Sequence, residues 1–355
     1  MCPWPQPASQ QRLTMRIVQI VRRFGPVGGM ETYAWQLTRA LAASGRAVQV
    51  VCETQETEAM PGVTVEALGG TNPFPRWRHH LRFSRRVADY RQQHFQPGDL
   101  WHSHEFVTCA EVGTFHSTVH GAGETRAWHK RLDPTWHLNR WLENRVMASR
   151  QLVRMAAVSN LVREQLLRAH PKQAHKLAAH ISPGVVPVEN ATPIPTKPIL
   201  GFIGREWERK GLRRVLEILR AIPEAKLVIA GVPREEVARL LAGLEDRVEL
   251  LGWVKDPDEF YSRIRLLVHP AKLEAYGMVV AEALARRIPV LVSEATGAAA
   301  EVGTAGHVLP HTAPASQWIQ ATRDLLATPP SKFPPLRTWP EVAADYESLY
   351  TEIQK

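Results

Sequence analysis

The sequence predicts an α/β protein built of two bodies, and three observations carry that prediction. Short apolar runs recur with glycine- or proline-marked ends, each followed by a helical pattern, which is the alternation of a parallel sheet with crossover helices. One such strand–glycine–helix series opens at Met15 and a second opens at Ile199. Between them the proline-bearing stretch Val188 to Pro198 reads as a linker, and 355 residues suffice for two cores.

In the first series, Met15-Arg-Ile-Val-Gln-Ile-Val21 reads as a buried strand. A loop with Gly25, Gly28 and Gly29 follows, then a helix from Thr32 to Ala43 that Gly45 ends, and a second strand from Arg46 to Cys52. A glycine loop between strand and helix either serves the turn or cradles phosphate on its N–H groups. Its spacing is not GxGxxG, and no acidic residue stands about twenty positions on to hold a ribose, so a nicotinamide site is disfavoured. Residues 76–93 form an arginine-dense helix on which Trp77, Leu81, Phe83, Val87 and Tyr90 gather to one side. That side either enters a core or meets a membrane surface. Short strands end at His102-Ser-His104-Glu105 and at Thr114-Phe-His116-Ser117. The first histidine pair lacks a third ligand at metal-site spacing, and a lone histidine such as His116 is ordinarily structural. Segment 126–150 carries Trp128, His129, Trp136, Trp141 and several arginines, helical in pattern from about Leu138. A strand Met155–Ser159 then leads to a helix at Asn160.

In the second series, the strand Ile199–Ile203 runs into Gly204-Arg205 and, five residues on, Lys210-Gly211. Two cations at a strand's carboxyl end can neutralise a diphosphate. Gly231 ends the strand Lys226–Ala230, and Leu250-Leu-Gly252-Trp-Val254 ends another. Asp256-Pro-Asp258 reads as a turn and helix cap rather than a metal-binding Asp-x-Asp. The strand Arg265–His269 leads through a loop to a helix from Met278 to Arg286, a strand Pro289–Val292 and the small-residue turn Thr296-Gly297-Ala298. That loop lies at a strand's carboxyl end, where open α/β sheets bind ligands. Gly277 permits close approach, and the N–H groups of Tyr276, Gly277, Met278 and Val279 are placed to face an anion. Glu274 and Glu282 stand eight apart across the loop and helix; by spacing alone they fit a solvated surface helix equally well. Trp339 to Lys355 reads as a closing helix.

Hydrophobic residues make up 44% of the chain and charged residues 22%, as in an ordinary soluble globular protein. No run approaches the ~18 apolar residues of a membrane span. Residues 1–14 lack an apolar signal region and read as a disordered extension, with Met15 an alternative start. Cys2, Cys52 and Cys109 are scattered, as reduced cytoplasmic thiols are. Residues 1–195 hold 23 Lys+Arg against 14 Asp+Glu, while 196–355 hold 21 against 21. A basic first half attracts anionic partners, either nucleic acid or a membrane surface, and no nucleic-acid-binding motif appears.

His269-Pro270-Ala271, Glu274-Ala-Tyr-Gly277, Glu282-Ala283, Pro289-Val290 and Glu301, taken together, resemble the signature of retaining glycosyltransferases of family 4. The resemblance implies the GT-B fold: two Rossmann-like domains facing a central cleft, with a C-terminal helix returning to the first. The domains would be 15–190 plus 340–355, and 197–335. It implies a nucleotide-sugar donor, UDP-glucose, and no cofactor or divalent metal. Residue by residue, it puts Arg205 and Lys210 at the departing diphosphate, Glu274 at the donor sugar and Glu282 at the ribose. His116 would lie beside the reacting sugar, Gly28 and Gly29 at diphosphate and acceptor, and the base near Val254, with Gly231 and the 276–279 loop completing the donor pocket. Arg286-Arg287 replace the family's usual small residue, and Gly297-Ala298 its Gly-Gly turn. The order His-Pro-Ala-x-x-Glu-Ala-x-Gly is most like bacterial lipopolysaccharide core glucosyltransferases. That implies a lipopolysaccharide core or similar glycan or glycolipid acceptor, met at the anionic cytoplasmic face of the inner membrane. A sugar-nucleotide epimerase of the same fold, needing no acceptor, is the enzymatic alternative; a basic nucleic-acid-binding protein is the non-enzymatic one.

Overall fold

The computed structural model describes residues 15–119, 121, 133–188 and 194–354. The 1–14 extension, Trp128 and His129, and part of the linker lie outside the described residues.

Two six-stranded sheets organise the chain. The first holds β1 (Arg16–Ile20), β3 (Ala47–Cys52), β5 (Val63–Ala67), β6 (Leu100–Ser103), β7 (Val112–Phe115) and β8 (Arg154–Ala157). A separate two-stranded sheet pairs β2 (Arg23–Phe24) with β4 (Thr54–Gln55). The second large sheet holds β9 (Ile199–Ile203), β10 (Lys226–Ala230), β11 (Val248–Gly252), β12 (Leu266–His269), β13 (Val290–Ser293) and β14 (Gly306–Leu309). The orders are β5-β3-β1-β6-β7-β8 and β11-β10-β9-β12-β13-β14. Pairings within both are parallel, with Ile20 opposite Val51 in the first and Phe202 opposite Ile229 in the second. Strands covered on both faces must be apolar almost throughout, which is why Ile17, Val18 and Ile20, or Leu266 to Val268, run without alternation.

In each sheet the chain moves outward from its first strand and then returns to that strand's other side. The reversal lies between β1 and β6 in one sheet and between β9 and β12 in the other. Crevices open at such points, beyond the carboxyl ends of the strands.

The chain divides into two compact units: the part up to Thr114 with Leu138–Met155 and the end from Tyr346, and Phe115–His137 with Ala156–Asp345. In the second, the helix Leu212–Ala221 buries Leu212, Val215, Leu216, Ile218 and Leu219 against the sheet, and Trp318 of the helix Ala315–Ala327 joins the same core. In the first, the last turns of the helix Trp339–Ile353 supply Tyr346 and Tyr350. The Tyr346 hydroxyl lies 2.6 Å from Thr114 Oγ1 and that of Tyr350 2.7 Å from His102 Nδ1. The closing helix therefore returns to the first sheet.

Several expectations needed correction. The helix after the glycine loop spans Gly29–Ala43, three residues earlier than Thr32, because Gly28 can serve as an extended cap. The helix of the tryptophan-rich segment is Pro134–Met147, since proline fits a first turn. Strands β5 and β14, short and half polar, carried too weak a pattern to be foreseen. The helix Arg76–His94 buries His79, His80, Phe83, Ser84 and Val87, so its apolar side belongs to the core with Val18, Ile20, Val51 and Trp101. What it leaves exposed is the arginine side: Arg76, Arg78, Arg82 and Arg85.

Candidate active site

The second reversal point collects residues 64 positions apart in the chain. β9 ends at Ile203, and the loop Gly204–Gly211 carries Lys210; β12 ends at His269, and the next loop carries Glu274. Lys210 Nζ lies 3.4 Å from Glu274 Oε2, and Arg209 Nη1 lies 3.4 Å from the same oxygen. Arg209 also bonds the Leu273 carbonyl and Glu206. His269 Nε2 stands 3.9 Å from Glu274 Oε2 on the buried side.

Glycines shape this cluster. Gly204 has φ 136°, and a Cβ there would fall 2.6 Å from Lys210 Nζ, so the missing side chain is the room the lysine occupies. Gly211, at φ 85°, lies against the Pro270 carbonyl, which locks one loop to the other. Gly231 packs on Gly204, 3.3 Å from a Cβ to its Cα, and so supports the loop from behind. On the far side, Glu274 N–H donates to Ala295 O, Gly297 N–H to Glu274 O and Ala298 N–H to Tyr276 O. The loop is thereby zipped to the turn after β13, and Glu274 is held at both its backbone groups.

The Glu274 side chain is only 16% exposed. Desolvation favours its neutral form, but the Lys210 ammonium and the Arg209 guanidinium outweigh it and hold the carboxyl below the usual range. His269 adds no charge, because burial pushes its imidazole down to about 3. Neither ring nitrogen of His269 has a hydrogen-bond partner among the described residues. Glu274 and Glu206 together balance Lys210 and Arg209, so the positive charge left for an anionic ligand beside them is that of the exposed Arg205.

Glu282 lies on the second turn of the helix Met278–Ala285, capped by Gly277 in the left-handed region at φ 88°. The N–H groups of Met278 and Val279, its first two positions, have no carbonyl one turn back to meet. Tyr261 donates its hydroxyl to Glu282 Oε2 at 2.8 Å. Tyr276 is buried and bonds Glu301 Oε2 at 2.7 Å, so its side chain serves the fold while its backbone borders the crevice.

The remaining predicted residues are dispersed. Arg205 is exposed and pairs with no carboxylate among the described residues; the neighbour that reaches Glu274 is Arg209, which sequence reasoning passed over although it adjoins Lys210. Val254 is half-buried just beyond β11, next to Trp253, which is 68% exposed. His116 follows β7, and desolvation holds it down to about 3. Gly28 and Gly29 begin the helix Gly29–Ala43, but Glu31 Oε2 occupies the space where a Gly28 Cβ would go, and Arg23 pairs with Glu31 at 2.6 Å. That helix end is thus already faced by a carboxylate. Asp256 Oδ1 accepts from Asp258 N–H at 2.9 Å and Asp258 bonds Arg286 at 2.6 Å, so these aspartates cap and anchor.

The first unit has a cluster at its own reversal point. Arg22 donates to Glu105 Oε1 at 3.0 Å and lies 3.1 Å from His79 Nδ1, whose Nε2 is 2.7 Å from Glu53. Arginine can only donate, so His79 accepts at Nδ1 and carries its proton at Nε2 toward Glu53. His102, next to this row, bonds Thr114 and Tyr350.

Two parallel sheets of this order are those of two Rossmann-like domains, the make-up of the GT-B fold. Among solved structures, the chain superposes on WaaG, described as a glycosyltransferase involved in lipopolysaccharide biosynthesis, with TM-score 0.77 and 18% identity over 94% of this chain and 95% of that one. It superposes on sucrose-phosphate synthase from Thermosynechococcus elongatus with TM-score 0.79 and 21% identity, covering 96% and 99%. The Glycosyltransferase Family 4 model matches residues 27–187, and the model for glycosyl transferases group 1 matches 197–328. The chain belongs to glycosyltransferase family 4. It is 36% identical to the lipopolysaccharide core biosynthesis mannosyltransferase LpcC of Rhizobium leguminosarum bv. viciae over 33% of this chain and 36% of that protein. Against the phosphatidyl-myo-inositol mannosyltransferase of Mycobacterium leprae it is 27% identical over 81% of each. Against the lipopolysaccharide glucosyltransferase WaaG of Escherichia coli it is 29% identical over 43% of each. The alignments with LpcC and WaaG thus span less than half of those relatives.

Proposed function

We propose that this glycosyltransferase moves a hexose from UDP-glucose to a lipopolysaccharide core acceptor, with retention of configuration and without a divalent metal. The observation that carries the reading is the fixing of Glu274 between Lys210 and Arg209, where β9 and β12 end. In the reaction the bond from the sugar's anomeric carbon to the diphosphate breaks, its electron pair leaving with UDP. The acceptor oxygen takes its place on the carbon, and the acceptor proton passes to the departing diphosphate. Lys210 and Arg209, with Arg205 at the rim, oppose the charge that builds on the leaving group. Glu274 faces the donor sugar, Glu282 the ribose, and the N–H groups at Met278 and Val279 the diphosphate. Gly231 and Val254 border the base, and His116 orients donor hydroxyls or the acceptor. Gly28 and Gly29, already faced by Glu31, fit a hydroxyl-bearing acceptor better than a phosphate.

The acceptor is the finer half of the proposal. The exposed arginines of Arg76–His94, and Trp141 with Arg145 6.0 Å from its ring, suit a phosphorylated acceptor at an anionic membrane. No helix among the described residues is long and apolar enough to cross a membrane. A mannose donor is the second reading, because LpcC is named a mannosyltransferase.

Deletion of the gene and mass analysis of the core oligosaccharide tests both. Loss of one hexose, restored by the wild-type chain but not by Glu274→Ala, is expected, and sugar analysis separates glucose from mannose. An unaltered core refutes the acceptor. EDTA treatment is expected to leave activity intact; loss that magnesium or manganese restores refutes metal independence.

A further inference from the structure

Arg286 departs from the family pattern, and the structure gives it a place. Its guanidinium lies over the Tyr261 ring, 4.6 Å from the centroid, with its side chain 16% exposed. Nε donates to Asp258 Oδ1 at 2.6 Å and Nη1 to the Glu282 carbonyl at 3.1 Å. Beneath it, the buried Tyr261 hydroxyl is 2.8 Å from Glu282 Oε2 and 3.1 Å from the Val279 carbonyl. Asp258, Arg286, Tyr261 and Glu282 therefore form one continuous stack from surface to carboxylate. We propose that Tyr261 and Arg286 are positioning residues that hold the Glu282 carboxyl in one orientation toward the ribose hydroxyls of the donor.

The proposal rests on the donor reading above and deepens it. A glutamate that is to accept hydrogen bonds from two ribose hydroxyls must be charged and must keep one orientation. Burial works against the charge and raises the Glu282 pKa; the Tyr261 hydroxyl, then Arg286 and Lys210, lower it again. Tyr261 itself stays protonated, since burial and Glu282 push its pKa well above the usual value. Its one proton has two acceptors in reach. With Glu282 ionised the proton points to the carboxylate. With Glu282 protonated, the acid donates to the hydroxyl, which turns to Val279, and the carboxylate is lost to a ligand. The charged or titratable groups facing Glu282 are Tyr261, Arg286 with its partner Asp258, and Lys210.

The test compares UDP with 2′,3′-dideoxy-UDP on the wild-type chain, Tyr261→Phe and Arg286→Met by calorimetry from pH 5 to 8. ADP and GDP with their dideoxy forms run in parallel, and the tightest nucleotide is used. Wild type is expected to favour the ribose form. Each variant should lose about tenfold in affinity for it, the scale of a hydrogen bond to a charged group, and little for the dideoxy form. The acid limb of the ribose preference should also move to higher pH, because the carboxylate loses a group that favours its ionised form. Equal loss for both nucleotides would mean a merely structural role and overturns the proposal, as does an unmoved pH limb. A wild type that binds nucleoside diphosphate without ribose preference overturns it while leaving the donor reading standing. A wild type that binds none removes that reading, and the proposal with it.

Discussion

Single residues decide the chemistry of this crevice. Lys210 is one of two cations within 3.4 Å of Glu274 and fills the space that Gly204 leaves open. Lys210→Ala is expected to lower turnover about 100-fold, comparable to loss of an oxyanion donor. It should also shift the acid limb of the pH–rate profile upward, since Glu274 loses the first of the cations that hold its carboxyl low. A purified variant with near-normal turnover removes Lys210 from the mechanism. The histidines make a different prediction. His80 and His269 are both held down to about 3 by burial, whereas the unfolded chain protonates them near their ordinary value of 6.5. As pH falls below 6.5 the unfolded state takes up protons that the folded state refuses, so each costs about 1.4 kcal/mol of stability per pH unit. Glu105, Glu282 and Glu301, whose pKa values burial raises, act with the opposite sign. The histidine share is therefore read by difference: His269→Gln should flatten the pH dependence of the denaturation midpoint between 6.5 and 4.5 by about one proton. An unchanged slope contradicts the buried neutral state.

At the scale of elements, the unit Leu266 to Val302 shows how turns aim side chains. The helix Met278–Ala285 ends with Ile288 N–H bonded to Ala283 O and Arg287 N–H to Leu284 O, the paired bonds of a left-handed helix stop. Arg287 takes φ 60°, and no other non-glycine residue among the described ones has a positive φ. Arg287→Gly is expected to stabilise the protein by about 0.5–1 kcal/mol, the left-handed strain relieved less the entropy glycine adds to the unfolded chain. Thermal unfolding checks it, and a lower midpoint would refute it. Gly297 is the opposite case. A Cβ there would strike the Ala275 carbonyl, so Gly297→Ala should unzip the loop that holds Glu274 and cut turnover at least tenfold. Full activity would show that the loop can give without moving the carboxylate.

For the molecule as a whole, charge is the property with a functional reading. The surplus of the first half is displayed where the helix Arg76–His94 turns Arg76, Arg78, Arg82 and Arg85 outward. Each cation near an anionic lipid surface contributes about 1 kcal/mol, so under the proposed membrane reading the set would supply reversible attachment. The quadruple change to serine is expected to abolish co-sedimentation with phosphatidylglycerol vesicles at low salt while leaving the fold intact by circular dichroism. Retained binding would place the membrane face elsewhere.

Much of this was legible in the chain. Apolar runs with glycine ends gave the strands that bear the site, because a strand buried on both faces admits little else. The spacing of Gly204, Lys210 and Gly211, and of Glu274, Gly277 and Glu282, pointed to the second crevice, because backbone close to a ligand or to a second loop excludes a side chain. What the chain alone could not reveal was which distant groups meet. Tyr261 lies 21 residues before the glutamate it holds, Arg209 was hidden beside Lys210, and Arg286 read only as a departure from pattern. The arginine helix left open whether its apolar side faced core or membrane, and only packing put Phe83 and Val87 inside. Local pattern is written by backbone geometry, which repeats along the sequence. Partnership across a reversed strand order is written by the sheet, which brings β9 beside β12 only once the whole second unit has closed.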